Sequence, residues 1–506
     1  MIMQSTLFFD ELNAIAEKYP NNIALLNAND QEITYQQLMD YVERAHGWLY
    51  SIGLRPGDAL ITLLPNAIET VILFLASIRA GLVYAPLTWA STFPEIIRWK
   101  KKVNAKVSLV ANTIHHLLQM QINELDWRVE IININNQFNW PLCEHIAVEK
   151  TGTIVMQSSG STGEAKALLL SADRLWTSAK AFSHYHQIEE SVTRFWNYLP
   201  MSYLGGLLNS LLIPFAAQGS VFIDDTFNGK TFLNFWSTIE RYQINSIWLV
   251  PSILRGLLNL SNRIGLNRTY PKIQHCFLGT APILLEEKQN FFKVFGIQPL
   301  ESYGFSEAVL ISSESMSNVV LRSQFSVGSI LPNIEVQLRP MQDSEEHETF
   351  EIWVKTPHFM LGYLTENGIS EPPFDEHGFM PSGDFGQMVN GQLLITGRRR
   401  DIIKKGGALI LLREIEQIVS SYPNVVEVAA VKIDHSFYGE SFNLYVCPAA
   451  SVHDYNVFQT ELSQWLHKQL AKDKWPEKIF MCRDFPKTPS GKIQKHLLET
   501  RNSVNA

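Results

Sequence analysis

The sequence predicts an α/β fold divided into a large N-terminal domain and a small C-terminal domain. Short apolar runs with the character of buried strands alternate along the chain with amphipathic helical segments, which is typical of α/β proteins. At 506 residues the chain is too long for one compact core. Near residues 396–401 a β-like run meets a basic cluster, and we place the boundary there, between residues 1–398 and 399–506.

In the first domain the clearest elements lie in the middle of the chain. The apolar runs 221–223, 247–250 and 276–278 each end in turn or loop residues, so we predict three buried strands. A helix is predicted over 229–242, between the first two strands. The polar, acidic stretch 339–349 is predicted to be a surface loop.

In the second domain the same patterns predict a self-sufficient α+β unit of about a hundred residues. Its first helix carries Ile415, Ile418 and Val419 on one face and ends before Pro423. The predicted elements are a helix at 413–420, strands at 425–433 and 442–447, and a helix at about 457–470.

The composition excludes several classes of protein. With 46% hydrophobic and 18% charged residues, the chain has the composition of a soluble globular protein. A net charge of -8 gives no general attraction to nucleic acid or to an anionic membrane, so neither is expected as a partner. The four cysteines lie far apart, which favours a reducing cytoplasm over a disulfide framework or a zinc site. No signal peptide is expected, because the first residues lack a basic region followed by an apolar core. No membrane span is expected either, because the apolar stretches are interrupted by polar residues.

Residues 157–167 have the composition of a phosphate-binding loop. Four hydroxyl residues and two glycines occupy positions 158–163, so backbone N–H groups can converge on an anion, and Lys166 adds a positive charge. Lys166 stands three residues beyond Gly163 and is followed by Ala167, which disfavours the ordinary P-loop of NTPases. A solvated linker is the alternative interpretation of this segment alone.

Residues 302–307, Ser-Tyr-Gly-Phe-Ser-Glu, have the chemistry of a nucleotide site. The ring of Tyr303 can stack on a purine, and Gly304 allows close approach of a ligand. Glu307 can hold the magnesium ion that accompanies ATP. The alternative is an ordinary strand-to-helix turn with an acid in the first helical turn.

Three further segments later in the chain carry charge. Asp384 is predicted on a tight turn, where a carboxylate can accept two hydrogen bonds from a ribose diol; an Asx-type turn is the alternative. Residues 397–407 are basic, and a domain-boundary turn is favoured over a nucleic-acid patch. In 486–495, turn residues place Lys492 at an exposed loop tip, from which its ammonium group can swing into a site on another domain. A plain surface loop is the alternative there.

In their order and spacing these motifs resemble the series found in the adenylate-forming superfamily, which comprises acyl- and aryl-CoA ligases, peptide-synthetase adenylation domains and luciferases. The resemblance extends over nearly the whole chain and is closest to the acyl- and aryl-CoA ligases. It implies a large multi-sheet N-terminal domain and a small, mobile α+β C-terminal domain hinged at Arg400. It also implies an ATP- and Mg²⁺-dependent ligase that converts a carboxylic acid to acyl-AMP, releases pyrophosphate and passes the acyl group to a thiol.

The resemblance implies a role for each motif residue as well. Lys492 is implied as the catalytic lysine, Ser306 as a contact of the α-phosphate and Glu307 as the ligand of Mg²⁺. The implied ATP-binding residues are Ser158, Ser159, Gly160, Ser161, Thr162, Gly163 and Lys166 for the phosphates, Gly279, Thr280, Ala281 and Tyr303 for adenine with Ser302 and Gly304 beside it, and Asp384 and Arg398 for the ribose.

The acid and the thiol are less closely defined. The segment 198–206 resembles the substrate-wall motif of the family, and no acidic residue occurs over 197–220 to pair with an ammonium group. An aryl or fatty acyl acid is therefore favoured over an α-amino acid. Coenzyme A is the expected acceptor; the alternatives are the phosphopantetheine arm of an acyl carrier protein, or a non-catalytic descendant that only binds nucleotide. The residues expected to line the acyl pocket are Tyr203, Gly205, Gly206, Phe305 and Val309.

Overall fold

The computed structural model contains two compact units. Unit 1 consists of Met1–Val319, Ile330–Ile334 and Thr356–Pro373, and the remaining segments form unit 2. This division does not follow a single cut, and the boundary after residue 398 stays a prediction. The structure describes all residues except 1–6, 90, 114–127, 135–137, 139, 142–149, 159–165, 189–192, 265–269, 282, 324, 341–349, 406–407, 488–492 and 502–506.

The described secondary structure alternates between strands and helices. The helices are α1 (Leu7–Lys18), α2 (Tyr35–Ser51), α3 (Ile68–Arg79), α4 (Phe93–Val103), α5 (Ala172–Tyr185), α6 (Ile213–Ala216), α7 (Gly229–Leu233), α8 (Phe235–Arg241), α9 (Pro251–Ile264), α10 (Leu285–Phe295), α11 (Leu412–Ser420), α12 (Tyr455–Gln469) and α13 (Lys495–Arg501), with a π-helix at Gly205–Leu212 and 3₁₀ turns at Val319–Leu321, Arg399–Asp401 and Lys472–Lys474. The strands are β1 (Ile23–Asn27), β2 (Glu32–Thr34), β3 (Ala59–Leu63), β4 (Val83–Leu87), β5 (Ala105–Ala111), β6 (Arg128–Ile132), β7 (Thr153–Ser158), β8 (Lys166–Ser171), β9 (Arg194–Asn197), β10 (Ser220–Ile223), β11 (Ser246–Leu249), β12 (His275–Leu278), β13 (Pro299–Phe305), β14 (Val309–Ser313), β15 (Ser329–Ile330), β16 (Glu335–Pro340), β17 (Phe350–Lys355), β18 (Gly362–Thr365), β19 (Gly368–Ser370), β20 (Met380–Val389), β21 (Gln392–Arg398), β22 (Ile402–Lys405), β23 (Ala408–Leu411), β24 (Val425–His435), β25 (Gly439–Pro448) and β26 (Ile479–Met481).

Unit 1 is built on two large sheets. In the first sheet the strands follow the order β15-β14-β13-β12-β11-β9-β10-β1-β2, and in the second the order β19-β18-β8-β7-β4-β3-β5-β6. Strands β9 to β13 pair in parallel, and every residue of β10 and β11 is buried. Such continuous apolar runs are expected of parallel strands that are covered on both faces.

Local sequence explains where several helices of unit 1 begin. At the start of α2, the hydroxyl of Thr34 accepts a hydrogen bond of 3.2 Å from the N–H of Gln37, and the Gln37 side chain accepts one of 2.9 Å from the N–H of Thr34. The same reciprocal arrangement of Thr92 and Glu95 begins α4. These capping boxes satisfy N–H groups that have no partner inside the helix.

Unit 2 contains two smaller sheets. The first has the order β16-β17-β20-β21, and the second the order β23-β22-β25-β24, with β26 paired to β25. Helix α11 buries Ile415 and Val419, which the sequence placed on one face, in a core shared with Phe442 and Leu444 of β25.

The predicted fold class is confirmed, and most predicted elements are present. The strands predicted at 221–223, 247–250 and 276–278 are β10, β11 and β12. The single helix predicted over 229–242 is two short helices, α7 and α8, separated at Asn234. Of the predicted loop 339–349, the first two residues belong to β16 and the rest lies outside the described residues.

Candidate active site

The candidate site lies at the edge of the first sheet where its parallel strands end. The carboxyl ends of β9, β11, β12 and β13 meet at one edge, where open α/β sheets bind their ligands. The turn 279–281 follows β12 directly, and residues 302–305 form the end of β13. A Cβ on Gly279 would stand 3.3 Å from the carbonyl oxygen of Ser302. The structure therefore brings the two segments predicted to bind adenine together.

The segment around Tyr303 and Gly304 belongs to a β-hairpin and does not precede a helix. Strand β13 continues to Phe305, which pairs with Val309 of β14. Gly304 is required, because a Cβ there would lie 1.9 Å from the carbonyl oxygen of Val309. Val309 has a φ of 64°, a left-handed conformation that is costly for a β-branched residue. The strand-to-helix alternative is therefore wrong, and two predicted pocket residues pair across a strained hairpin.

Glu307, Tyr363 and Lys166 are connected through contacts of Tyr363 beside this hairpin. Ser306 and Glu307 lie in its turn, and Glu307 Oε1 accepts a hydrogen bond of 3.0 Å from the hydroxyl of Tyr363 on β18. The Nζ of Lys166 lies 4.9 Å from the centroid of the Tyr363 ring. Strand β18 pairs with β8, whose first residue is Lys166, and this pairing holds the lysine beside the tyrosine. Burial, and then the nearby Glu307 carboxylate, raise the pKa of Tyr363, so its hydroxyl remains a donor.

Tyr363 was not found by sequence reasoning, because a lone tyrosine carries no motif. Its position beside Lys166 depends on the register of β18 against β8, which joins residues almost two hundred positions apart. Of the predicted phosphate loop, residues 159–165 lie outside the described residues. Its two ends are described: Ser158 ends β7, Lys166 begins β8, and these two residues pair with each other.

The predicted substrate wall, residues 198–206, follows β9 and is fixed by two buried asparagines. The side chain of Asn66 donates one hydrogen bond to this backbone at 2.9 Å and accepts one from it at 3.1 Å. Asn197 donates to the carbonyl oxygen of Gly206 at 3.0 Å. The π-helix Gly205–Leu212 begins at the same place, and π-helical turns are frequent at functional sites. Neither asparagine was predicted, since each acts through hydrogen bonds to the backbone of other residues.

Three predicted pocket residues lie in this wall. A Cβ on Gly206 would stand 2.4 Å from the carbonyl oxygens of Leu199 and Pro200, so glycine is required. A Cβ on Gly205 would have a tight but tolerable contact of 3.4 Å with the Leu199 side chain. Burial, and to a smaller degree the charge of a nearby glutamate, raise the pKa of Tyr203, which keeps its phenol neutral.

A polar network supports β13 from behind. The hydroxyls of Ser302 and Ser313 lie 2.9 Å apart, and His186 Nε2 lies 2.9 Å from the Ser313 hydroxyl. Burial, and then the charge of His275, lower the pKa of His186 to about 3, so its ring is neutral at physiological pH. Ser302, predicted at the adenine site, is therefore held in place by a neutral histidine through a second serine.

A buried ionic triad lies one residue before Ser302. The Nζ of Lys288 on α10 lies 2.7 Å from Glu301 and 3.0 Å from Glu314. The N–H of Glu301 also donates to the Glu314 carboxylate at 2.8 Å. These contacts connect α10 with β13 and with the residue after β14. No sequence motif marks the triad, because its three members are separated by 13 residues or more along the chain.

In unit 2 the two residues predicted to bind ribose contact each other. Arg398 Nε lies 2.8 Å from Asp384 Oδ1, and the residues are cross-strand neighbours on β20 and β21. Asp384 lies inside β20 and not on a tight turn, which corrects that expectation; the left-handed residue is Gly383, with a φ of 73°. The hinge candidate Arg400 lies in the 3₁₀ turn Arg399–Asp401.

Lys492 lies outside the described residues, as does the rest of 488–492. The residues on either side of this segment are tied together, because Lys487 and Ile493 form an antiparallel β-bridge. Just beyond it, Lys495 at the start of α13 lies 2.8 Å from Glu416.

Lys495 also reaches the hinge region, since its Nζ lies 3.3 Å from Asp401. Burial alone would lower the pKa of Lys495, but Glu416 and Asp401 raise it on balance, so the side chain is a cation. This ion pair joins the base of the Lys492 loop to the residue that follows Arg400. Sequence reasoning missed it, because Lys495 falls within the loop motif 486–495 and its partners lie far away along the chain.

The donor set around Glu307 fits a magnesium ion that arrives with a nucleotide. Within the described ranges, no three His, Cys, Asp or Glu side chains are grouped to hold a metal ion by themselves. Mg²⁺ bound with ATP does not need such a cage, because one or two carboxylates and the phosphates supply its oxygen ligands. Glu307 is partly exposed and is oriented by Tyr363, as such a ligand must be. None of the described helices combines the length and apolar character needed to cross a membrane.

Comparison with known proteins identifies the family. Residues 12–364 match the family of AMP-binding enzymes, and residues 414–492 match the AMP-binding enzyme C-terminal domain. The chain is 27% identical to an oxalate–CoA ligase of Arabidopsis thaliana, with 98% of each protein covered. It is 24% identical to a medium-chain fatty-acid–CoA ligase of Escherichia coli (strain K12), with 96% of this chain and 88% of that protein covered.

A solved structure shows the same fold. ATP-bound MatB from Rhodopseudomonas palustris matches with a TM-score of 0.86 at 24% identity, and 100% of both chains is covered. The match to the first family model alone spans well over half of the chain. The chain therefore belongs to the AMP-binding enzyme family, within the adenylate-forming superfamily that its motifs resemble, and its class is that of the AMP-forming acid–thiol ligases.

Proposed function

We propose that this protein uses ATP to convert an aryl or fatty acyl carboxylic acid to acyl-AMP and then transfers the acyl group to coenzyme A. The proposal depends mainly on the contacts of Tyr363, which bonds to Glu307 and lies beside Lys166 at the end of the predicted phosphate loop. A metal-bound triphosphate requires a carboxylate that binds the metal ion and a cation that binds the phosphate oxygens. The two relatives are CoA ligases, and the MatB neighbour binds ATP, which supports the same interpretation.

The first step brings the carboxylate of the acid toward the α-phosphate, so two anions approach each other. Electrostatic stabilisation is therefore the main task of the protein. Bound Mg²⁺ supplies neutralising charge at the phosphates. In this proposal Glu307 holds the ion, Tyr363 orients Glu307, Lys166 and Ser306 contact the phosphates, and Lys492 neutralises charge at the reacting carboxylate and α-phosphate.

The second step requires that a thiol reach the acyl-AMP. We assign this to a rotation of the small domain about Arg400, which withdraws Lys492 and brings forward the face that carries residues 406–407. The ion pair of Lys495 with Asp401 supports this assignment, because it couples the hinge region to the base of the Lys492 loop. We also propose that the protein works in a reducing cytoplasm. Cys276 and Cys447 are free thiols, which such a compartment would keep reduced.

Release of pyrophosphate tests the reaction directly. The purified protein is incubated with ATP, Mg²⁺ and a panel of carboxylic acids, and we expect pyrophosphate with at least one acid in the absence of any thiol. Adding coenzyme A should then yield acyl-CoA. If the acyl group passed only to a phosphopantetheinylated carrier protein, the acceptor assignment would be wrong while the adenylation step stood. Nucleotide binding without pyrophosphate release for any acid would instead indicate the non-catalytic alternative.

Removing the hydroxyl of Tyr363 should raise the Mg²⁺ concentration that the reaction requires. Tyr363→Phe keeps the ring beside Lys166 and removes the hydrogen bond to Glu307. A hydrogen bond to a charged group contributes about 1.5–3 kcal/mol, so the Mg²⁺ concentration for half-maximal pyrophosphate release should rise about ten- to a hundredfold. Tyr242→Phe, which removes a hydroxyl bonded to the carbonyl of Ala28, is the matched control. Equal Mg²⁺ requirements in the two variants would contradict the orienting role.

A further inference from the structure

Arg174 of α5 forms hydrogen bonds with the segment that leads into β18. Its guanidinium Nη1 donates to the carbonyl oxygen of Phe359 at 2.6 Å and to that of Met360 at 3.4 Å. Both residues of the segment are buried. Hydrogen bonds from a charged donor are roughly twice as strong as those between neutral groups, and a low local dielectric strengthens them further. Arg174 therefore restrains the backbone of this segment.

One of the bonded peptide units also contacts Glu307. The N–H of Met360 belongs to the same peptide unit as the carbonyl of Phe359, and it donates to the carbonyl oxygen of Glu307 at 2.8 Å. A hydrogen bond at one end of a polar group polarises it and strengthens the bond at its other end. Arg174 therefore acts on the backbone of Glu307 through a single peptide unit.

The next residues of the segment hold the side chain of Glu307. The hydroxyl of Tyr363 donates to Glu307 Oε1 at 3.0 Å. Just before it, the N–H of Leu361 donates to a carbonyl oxygen of β8 at 2.7 Å, where β18 begins to pair with that strand. Residues 360–363 thus contact both the backbone and the carboxylate of Glu307, and Arg174 bonds at the start of this stretch.

A histidine of the same segment forms a second connection to the helix. Burial lowers the pKa of His358 to about 4, while a hydrogen bond from its ring to the backbone of Arg174 acts in the opposite direction. The ring is therefore neutral at physiological pH. Because this contact does not involve the guanidinium, the segment remains attached to α5 when the Arg174 side chain is shortened.

We propose that Arg174 is a positioning residue for magnesium binding, which holds Glu307 through the peptide unit between Phe359 and Met360 so that its carboxylate can bind the ion that accompanies ATP. This inference rests on the proposed function, which assigns Mg²⁺ to Glu307. Removing a group that orients a metal ligand typically lowers metal affinity about 10- to 100-fold. Arg174 acts through an intervening peptide unit, so we expect an effect at the lower end of this range.

The test measures how strongly Mg²⁺ favours the binding of ATP. Calorimetric titration gives the Kd of ATP without and with Mg²⁺, and we call the ratio of these two values the magnesium gain. Arg174→Met keeps an unbranched stem and removes the donor. It should reduce the magnesium gain about tenfold and leave the Kd of ATP without Mg²⁺ close to that of the wild type. Arg174→Lys keeps a cationic donor and should restore a large part of the gain.

Two further variants isolate the route through Glu307. In Glu307→Ala the magnesium gain should be small, and adding Arg174→Met should reduce it no further, because the carboxylate that the arginine positions is absent. Arg194→Met is the matched control, since Arg194 also donates to a backbone carbonyl, that of Tyr242, at 2.7 Å. Arg194 begins β9 and so lies at the opposite end of that strand from the candidate site, and its replacement should leave the magnesium gain unchanged.

The outcomes separate positioning from general damage. If Arg174→Met weakened ATP binding equally with and without Mg²⁺, or lowered the gain further in the Glu307→Ala background, the inference would be overturned. A wild-type protein with no magnesium gain would contradict it as well. Should Arg174→Met be too unstable to titrate, Arg174→Gln, a neutral donor, should show the same selective loss to a smaller degree, and an undiminished gain in that variant would count against the role.

Failure of the proposed reaction gives a different result from failure of this inference. A magnesium gain that falls in Arg174→Met, in a protein that releases no pyrophosphate with any acid, supports the positioning role and contradicts the reaction. Pyrophosphate release with an unchanged magnesium gain in Arg174→Met supports the reaction and contradicts the positioning role.

Discussion

Lys492→Ala is expected to lower the rate of acyl-AMP formation on the order of 10²–10³-fold. The reaction draws a carboxylate onto an α-phosphate, and a cation aimed at that point is worth most in the transition state, where negative charge accumulates. Truncation to alanine removes this charge while leaving the predicted nucleotide segments of unit 1 unchanged. The measurement is single-turnover pyrophosphate release with saturating ATP and an acid that the wild-type protein activates.

The two half-reactions provide the sharpest control for this variant. If the small domain withdraws Lys492 before the thiol step, transfer from supplied acyl-AMP to coenzyme A should proceed at close to the wild-type rate. Lys487→Ala is the matched variant, since Lys487 lies just before the same loop and makes an ion pair of 2.7 Å with Glu427. We expect it to retain adenylation. Equal losses in both half-reactions of Lys492→Ala would contradict the two-state scheme.

The sequence predicted those features of the site that depend on neighbours along the chain. The strands β10 to β12 were visible as apolar runs, and the segments at 279–281 and 302–307 were visible as motifs. Family matches confirm the class of enzyme that the order of the motifs indicated. The roles of the individual residues within these segments remain proposals, as do those of residues 159–165 and Lys492, which lie outside the described residues.

The features that sequence reasoning missed depend on pairing between distant parts of the chain. Tyr363 contacts Glu307 because β18 pairs with β8, and Asn66 supports the substrate wall because α3 begins next to the end of β9. The neighbouring Gly383 favours a turn at Asp384, but the cross-strand contact with Arg398 keeps the aspartate in β20. Each of these cases depends on which distant segments the fold brings together, and the residues adjacent along the chain do not show it.

Lys288→Met is expected to destabilise the protein by about 3–5 kcal/mol, a larger loss of stability than we expect from any of the other substitutions. Lys288 is 1% exposed and Glu314 is fully buried, so the two carboxylates of the triad share one cation away from water. Without Lys288, Glu301 and Glu314 are left as two uncompensated negative charges in the core. The midpoint of urea unfolding should fall with little change in its slope. Because Glu301 immediately precedes Ser302, pyrophosphate release should also decline in the part of the population that remains folded.

The cause of the instability can be separated from the loss of lysine packing. Adding Glu301→Gln and Glu314→Gln removes both uncompensated charges, so the triple variant should recover a large part of the lost stability; replacing a buried ionic group as a whole is often close to neutral. Lys180→Met breaks an exposed ion pair with Glu11 and should cost less than about 1 kcal/mol. If the triple variant were as unstable as Lys288→Met alone, the main cause of the instability would be the changed packing at position 288, and the electrostatic role assigned to the triad would be wrong.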